Sequence, residues 1–414
     1  MIKQYTQVAI IGAGPSGSVA AALLKQQGID CIVLEKSLFP RFSIGESLLP
    51  ACMETLKKAN MFEAVNQAGF QFKNGAAFRR RSEYTHFDFT DKYTPGEGET
   101  FQVQRASFDQ LLAKQAQQQG VDIRFQHTVA AVDLDAVQPV LSIKDENNTV
   151  YQIQADFILD ASGYGRVLPR LLDLEQPSDF PARKAIFTHV VDNIDTDICQ
   201  KMNYDRNKIT IYVHPEHADV WYWLIPFSNG VCSLGVVGAP EFFEVYSQDS
   251  IQALKQLIDE EPHLRELFVN ATLPNPGGII DGYSVDVKHL ATAQYALLGN
   301  AGEFLDPVFS SGVTIAMKSA ELAVETLLPQ LKGETVDWDK SYSEPLMVGV
   351  NTFRAYVEGW YDGRLQKVIF AENPNAAVKQ KISAILAGYA WDSSNPYVAS
   401  PQKRLSTLAE ICSS

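Results

Sequence analysis

Positive charge is scarce in this chain: 35 Lys and Arg stand against 49 Asp and Glu, a formal net charge of −14 over 414 residues. That balance argues against nucleic acid and anionic membrane as partners, because either demands a basic surface excess. Cysteine is sparse as well. The five thiols, Cys31, Cys52, Cys199, Cys232 and Cys412, form no CxxC pair and no metal-ligand spacing, so they read as reduced packing residues with no metal centre. The seven histidines are scattered, and the close pair His214 and His217 flanks Pro215 in what reads as a turn. No apolar run has the length of a membrane span, the polar first residues do not resemble a secretory leader, and no repeat or low-complexity linker is visible. A soluble, cytoplasmic globular protein without stable membrane association is the expectation.

What the chain does have is a glycine-marked βαβ unit at its start. An apolar run, Val8-Ala-Ile-Ile11, suits a buried parallel strand and leads into Gly12-Ala13-Gly14-Pro15-Ser16-Gly17. Gly12 permits the tight turn, Gly14 lets backbone approach a pyrophosphate, and Gly17 lets the helix pack on the strand. The diphosphate would sit on the helix N-terminus. A second strand, Cys31-Ile-Val-Leu-Glu35, then ends in the carboxylate expected to accept hydrogen bonds from an adenosine ribose, with Lys36 beside it. Strand, helix and acid in this order predict a dinucleotide site. No second fingerprint of this kind follows, so a reduced cofactor would be supplied from outside, or NAD(P)H would dock transiently without such a fingerprint.

Helical periodicity covers residues 50–68 and 107–119, where Phe108, Leu111, Leu112 and Ala116 share a face. Residues 121–125, 131–134 and 140–143 alternate like antiparallel strands, a meander inserted in the cofactor domain. From 185 to 238 the pattern is strand-rich, with runs at 209–213, 220–225 and 231–237 that predict a separate antiparallel sheet. A buried strand at 295–298 precedes a helix over 312–328, and beyond 336 the chain reads as helical with aromatic anchors from Trp338 to Phe370. The expected fold class is α/β with a segregated sheet (α+β). A discontinuous nucleotide domain would take 1–80, 100–180 and 275–330; a β-sheet substrate domain 81–99 and 181–274; a helical region 331–414.

Further segments carry a resemblance. The glycine turn, Pro40-Arg41-Phe-Ser-Ile-Gly45-Glu46-Ser-Leu-Leu-Pro50, Arg105 before Phe108-Asp109, Asp160-Ala-Ser-Gly163, and Gly299-Asn300-Ala-Gly302 through Asp306-Pro307 resemble, in order, the FAD-binding segments of the flavin monooxygenase superfamily. Within it the chain looks like the flavin-dependent halogenases of the phenol and pyrrole type. The marks are Trp221-x-Trp223-x-Ile225-Pro226, Phe304-x-x-Pro307-x-x-Ser310-x-Gly312, and Lys73 in Gly69-Phe-Gln-Phe-Lys-Asn-Gly75. The resemblance implies a Rossmann-like FAD domain of the p-hydroxybenzoate hydroxylase kind, with Val129, Gly312 and Val313 also against FAD. It implies FAD reduced by NAD(P)H through a separate flavin reductase, a halide near Ser311 and Gly312, and hypohalous acid passing a channel of Phe304, Pro307 and Ser310 to Lys73. The substrate would be a small electron-rich aromatic, free or tethered to an acyl or peptidyl carrier protein.

The same residues also carry plainer readings. Trp221 and Trp223, two apart on a strand, project from one face as core aromatics do; the family reading makes them a wall between flavin and substrate. Lys73 lies among Phe70, Phe72 and Ala76, which would desolvate it. Ser310 or Ser311 could simply cap a helix. An aromatic hydroxylase and a polyprenyl reductase-like flavoprotein are the alternative functions. Asn300 stands where relatives carry Asp, which predicts weaker or exchangeable FAD binding. Arg79-Arg-Arg81 with Lys92 is the candidate basic patch for a carrier.

Overall fold

The structure, a computed structural model, describes residues 3–412 except 283 and 304. One seven-stranded sheet runs in the order Asp122–Phe125, Cys31–Glu35, Lys3–Ile11, Val150–Asp160, Val140–Lys144, Thr128–Asp133, with Tyr295–Leu297 also paired to Val150–Asp160. Lys3–Ile11 and its two neighbours are parallel, and Cys31–Glu35 is buried at every position, as a strand covered on both faces must be. The helices Pro15–Gln26 and Ser311–Leu331 pack together on this sheet.

The second seven-stranded sheet runs Gly278–Asp281, Lys184–Val191, Val231–Gly238, Trp221–Pro226, Lys208–Val213, Gly75–Arg80, Glu83–Asp88. Trp221, Trp223 and Ile225 face the core shared with the nucleotide half, while Tyr222 and Leu224 face a separate cluster with Leu254 and Leu257 of the helix Ser250–Glu260. This period-two division turns one strand into a wall with two faces. In the C-terminal region, the helix Glu344–Tyr361 buries Phe353, Tyr356 and Trp360, and Trp338 stacks on Phe157 at 4.7 Å. No helix among the described residues is long and apolar enough to cross a membrane.

Several expectations need correction. Residues 121–125 are not part of an antiparallel meander: Asp122–Phe125 pairs parallel with Cys31–Glu35 at the sheet edge, where only one face is covered and alternation follows from exposure alone. The expected helix over 50–68 is two helices, Ala51–Lys58 and Phe62–Asn66, because Asn60 takes a left-handed conformation with φ 55°. The second sheet is not wholly antiparallel and extends past 81–99 and 181–274. Gly75–Arg80 joins it parallel to Lys208–Val213, and Gly278–Asp281 forms its other edge. Gly75 permits close approach of Glu83–Asp88 on the strand's other side, since a Cβ there would lie 2.2 Å from the Phe87 carbonyl oxygen.

Candidate active site

A cavity of about 440 Å³ runs from the first glycine turn to the tryptophan strand. Gly12 lines its nucleotide end with φ +98°, and a Cβ there would come 2.6 Å from the Ala161 carbonyl oxygen. Gly17 lies behind the lining; its Cβ would fall 1.9 Å from the Gly12 carbonyl oxygen, so only glycine brings the helix onto the turn. Gly14, Pro15 and Ser16 line the cavity at the N-terminus of Pro15–Gln26, a helix with no side-chain cap and no acid in its first turn. Its free N–H groups and positive dipole end suit a diphosphate. Glu35 is buried and accepts from Ala13 N and Ser37 N at 2.9 Å each, which orients the carboxylate while leaving lone pairs for a ribose. Lys36 lines the cavity beside it.

Farther along, Arg105 is held as a fork. Its Nε and Nη2 donate to Asp109 at 2.7 and 3.0 Å, and Nη1 donates to the Ile44 carbonyl at 2.6 Å. Arg41 pairs with the same Asp109 at 3.1 Å. Together they set the segment carrying Gly45 and Glu46, both in the lining, and His189 Nε2 donates to Glu46 at 2.9 Å. Val129, Gly163, Asn300, Gly312 and Val313 are also in the wall, as are Trp221, Trp223, Pro307 and Ser310.

Other predicted residues work from behind it. Asp160 is fully buried and holds the amides of Ser162 and Leu168 at 3.0 and 2.7 Å; burial pushes its carboxyl up from the usual range. Gly299, with φ +52°, makes room for Ala316, whose Cβ would be 2.7 Å from a Cβ at 299. Ala13 is engaged by Glu35 through its amide, Asp306 caps the turn Pro307–Phe309, and Ser311 is buried in the first turn of its helix behind Ser310. Phe304 lies outside the described residues. Sequence reasoning missed His127, Thr128, Tyr164 and Ser233 in the wall. A parallel reading of 122–125 would have placed His127 and Thr128 at the strand ends where α/β ligands bind.

Lys73 occupies a second compartment. Its side chain is fully buried, and Nζ donates to Ser47 Oγ at 2.8 Å and the Leu48 carbonyl at 2.7 Å. Leu49, Ala76, Phe78, Phe89, Phe309 and Leu386 are among its walls, and the free volume of about 10 Å³ suits one water. Burial pushes the amine down to about 7 from the usual 10.5. Distant segments share in that desolvation with the flanking Ala76; Phe72, another of the expected flanking residues, is itself 36% exposed. Ile209 and Ser310 line both compartments, and Ser47 lines the large cavity while accepting from Lys73, so these three form the partition. In the wall of the large cavity, on the strand beside Ile209, Trp223 Nε1 donates to Ser233 Oγ at 3.0 Å, and its ring covers Gly235, where a Cβ would lie 2.2 Å from a ring atom.

Residues 5–336 match the FAD binding domain family. A 1H-pyrrole-2-carbonyl-(peptidyl-carrier protein) chlorinase of Pseudomonas fluorescens is 27% identical, over 89% of this chain and 86% of its own length. A tryptophan 2-halogenase of Chondromyces crocatus is 30% identical over 80% of this chain, which spans 63% of that protein. This chain belongs to the flavin-dependent halogenase family. The crystal structure of a flavoprotein/dehydrogenase from Cytophaga hutchinsonii is similar throughout, with a TM-score of 0.94 and 42% identity over 99% of both chains.

FAD fits the large cavity of this halogenase-family fold. The glycine turn, the uncapped helix and Glu35 meet the needs of its adenosine diphosphate end, and the uncapped start of Ser311–Leu331 meets those of a flavin carbonyl edge. Asn300 lines the wall there, and its side chain bonds the Tyr164 hydroxyl. The four cations of the candidate basic patch are held by acceptors within the fold. Arg79 is buried against the carbonyls of Met202 and Asn203, Arg80 is forked onto Glu83, Arg81 donates to the Pro215 carbonyl, and Lys92 donates to that of Gly96. Arg79, Arg81 and Lys92 meet neutral carbonyls and keep their charge, and Arg81 remains exposed.

Proposed function

We propose that this protein halogenates an electron-rich aromatic ring, a phenol or pyrrole, using FAD reduced by a separate flavin reductase, O₂ and a halide. The observation that carries the reading is the partition: a buried Lys73 beyond a wall of Ile209, Ser310 and Ser47, outside the cavity that fits FAD. A direct oxygen transfer needs the ring beside the flavin and has no use for this second compartment.

Reduced FAD, when bound, supplies two electrons for oxygen activation. Overall, O₂ takes those two and two from the halide, one oxygen leaving as water and the other in hypohalous acid. Arg105 and Arg41, locked by Asp109, hold the cavity rim, and Trp221 with Trp223 exclude the ring from the flavin side. Backbone N–H groups around Ser311 and Gly312 offer the halide a place at a helix N-terminus. With its amine near 7, Lys73 populates both forms at neutral pH. The ammonium can donate to the oxygen of hypohalous acid; the amine can take its halogen, releasing water, and pass it to the ring in exchange for the ring proton. The small compartment admits a ring only when a wall such as Leu386 or Phe89 moves. A carrier-tethered substrate is supported by the likeness to the pyrrole chlorinase.

The test is product mass from the FAD-loaded protein with a flavin reductase, NADH and a phenol or pyrrole, free and carrier-tethered, in chloride, bromide or no halide. Ring products that gain the mass of the supplied halogen are expected. A product gaining one oxygen whatever the halide would replace halogenation by hydroxylation.

A further inference from the structure

The helix Glu344–Tyr361 ends in two aromatic residues that touch different walls of the site. Trp360 packs 5.9 Å from Phe78 and 6.1 Å from Phe309, both walls of the Lys73 compartment. Tyr361 faces the other side: its hydroxyl accepts from Trp221 Nε1 at 3.0 Å and donates to Asp306 Oδ2 at 2.8 Å. Asp306 Oδ1 in turn accepts from Val308 N at 3.0 Å, starting the turn Pro307–Phe309 that delivers Ser310, with φ +56°, into the partition. The Arg183 guanidinium lies 3.9 Å from the centre of the Tyr361 ring and pairs with Asp219 at 3.0 Å.

We propose that Tyr361 is a positioning residue of this site, one hydroxyl that locks the tryptophan wall to the turn forming the partition. Its role in halogenation rests on the function proposed above. A buried indole N–H needs an acceptor, and a hydroxyl that also donates to a carboxylate is held more firmly than one bonded to neutral groups. The arrangement thus fixes Trp221 and Asp306 against each other across a break of 85 residues. Burial pushes the Tyr361 hydroxyl well up from the usual phenol range, so its proton stays in place for donation to Asp306. Arg183 over the ring face restrains the remaining freedom of the side chain.

Tyr361→Phe keeps the ring, its packing and the Arg183 contact while removing both hydrogen bonds. In the full-length FAD-loaded protein, oxidation of reduced FAD by O₂ should stay within about twofold of wild type. Halogenated product per FAD oxidised should fall about fivefold or more, with a higher halide KM and more free oxidant in solution, as expected for loss of a charge-assisted hydrogen bond. The ¹⁵N-indole resonance of Trp221, assigned with Trp221→Phe, should move upfield and exchange faster with solvent. Asp306→Asn should shift the same readouts in the same direction by less, and it serves if Tyr361→Phe does not fold. Unchanged product yield, halide KM and Trp221 resonance would overturn the proposal. If wild-type protein forms no halide-dependent product, the halogenation reading falls separately and the Trp221 resonance alone decides: a shift supports the positioning role, an unmoved line refutes it.

Discussion

Replacing Lys73 by Met should change how stability depends on pH. The amine sits fully buried among apolar walls, pushed down to about 7 from 10.5. At about 1.4 kcal/mol per pH unit, carrying the charge there costs roughly 5 kcal/mol relative to water. Because the folded value lies below the unfolded one, the unfolded chain binds the extra proton between pH 7 and 10.5. The penalty is therefore full below about 7 and is relieved as pH rises through that window. Integrated from pH 7 to 9, wild type should gain roughly 2 kcal/mol that Lys73→Met does not. The absolute stability of the variant is a poorer gauge, since Ser47 Oγ and the Leu48 carbonyl lose their donor at about 1–3 kcal/mol for each group left unpaired. Urea unfolding of both proteins at pH 7 and 9, FAD-free, measures the difference in slope. Equal slopes would show that Lys73 titrates as an ordinary exposed lysine and would refute the reasoning.

Two further substitutions probe the cavity and the compartment. Asn300→Asp offers a ribityl hydroxyl a charged acceptor in place of a neutral one, and FAD should bind about fivefold more tightly by fluorescence titration, near 1 kcal/mol for that exchange. An unchanged FAD Kd would remove any meaning from the asparagine. Leu386→Ala should cost about 2–5 kcal/mol of stability as a buried large-to-small change, yet lower the KM of a free aromatic substrate by opening the Lys73 compartment. A lower stability with an unmoved KM would mean that the ring enters elsewhere.

The nucleotide half was legible because its constraints are local. Gly12 and Gly17 stand where any Cβ would collide within 3 Å, and Glu35 follows one helix later. Edge strands were harder to read: Val121, Ile123 and Phe125 alternate with polar residues because one face of a parallel edge strand meets solvent, the same pattern an antiparallel strand leaves. The burial of Lys73 was local only at Ala76. The rest comes from residues near 48, 78, 89, 210, 309 and 386, brought together only by the second sheet and the C-terminal helices. Tyr361 was visible as an aromatic anchor, but nothing in its neighbours pointed to Trp221 and Asp306 as partners.

If oxidant is made in one compartment and used at Lys73 in the next, Lys73→Ala should separate the two steps. Wild-type and variant protein, matched in fold and FAD content, are reduced without oxygen and then mixed with O₂, bromide and an electron-rich aromatic. Both should oxidise reduced FAD at similar rates while only wild type brominates the ring. The variant should instead release free oxidant, and Lys73→Arg should not restore bromination, because a planar guanidinium replaces the compact amine. Wild-type levels of ring bromination by Lys73→Ala would show that the halogen reaches the ring without Lys73.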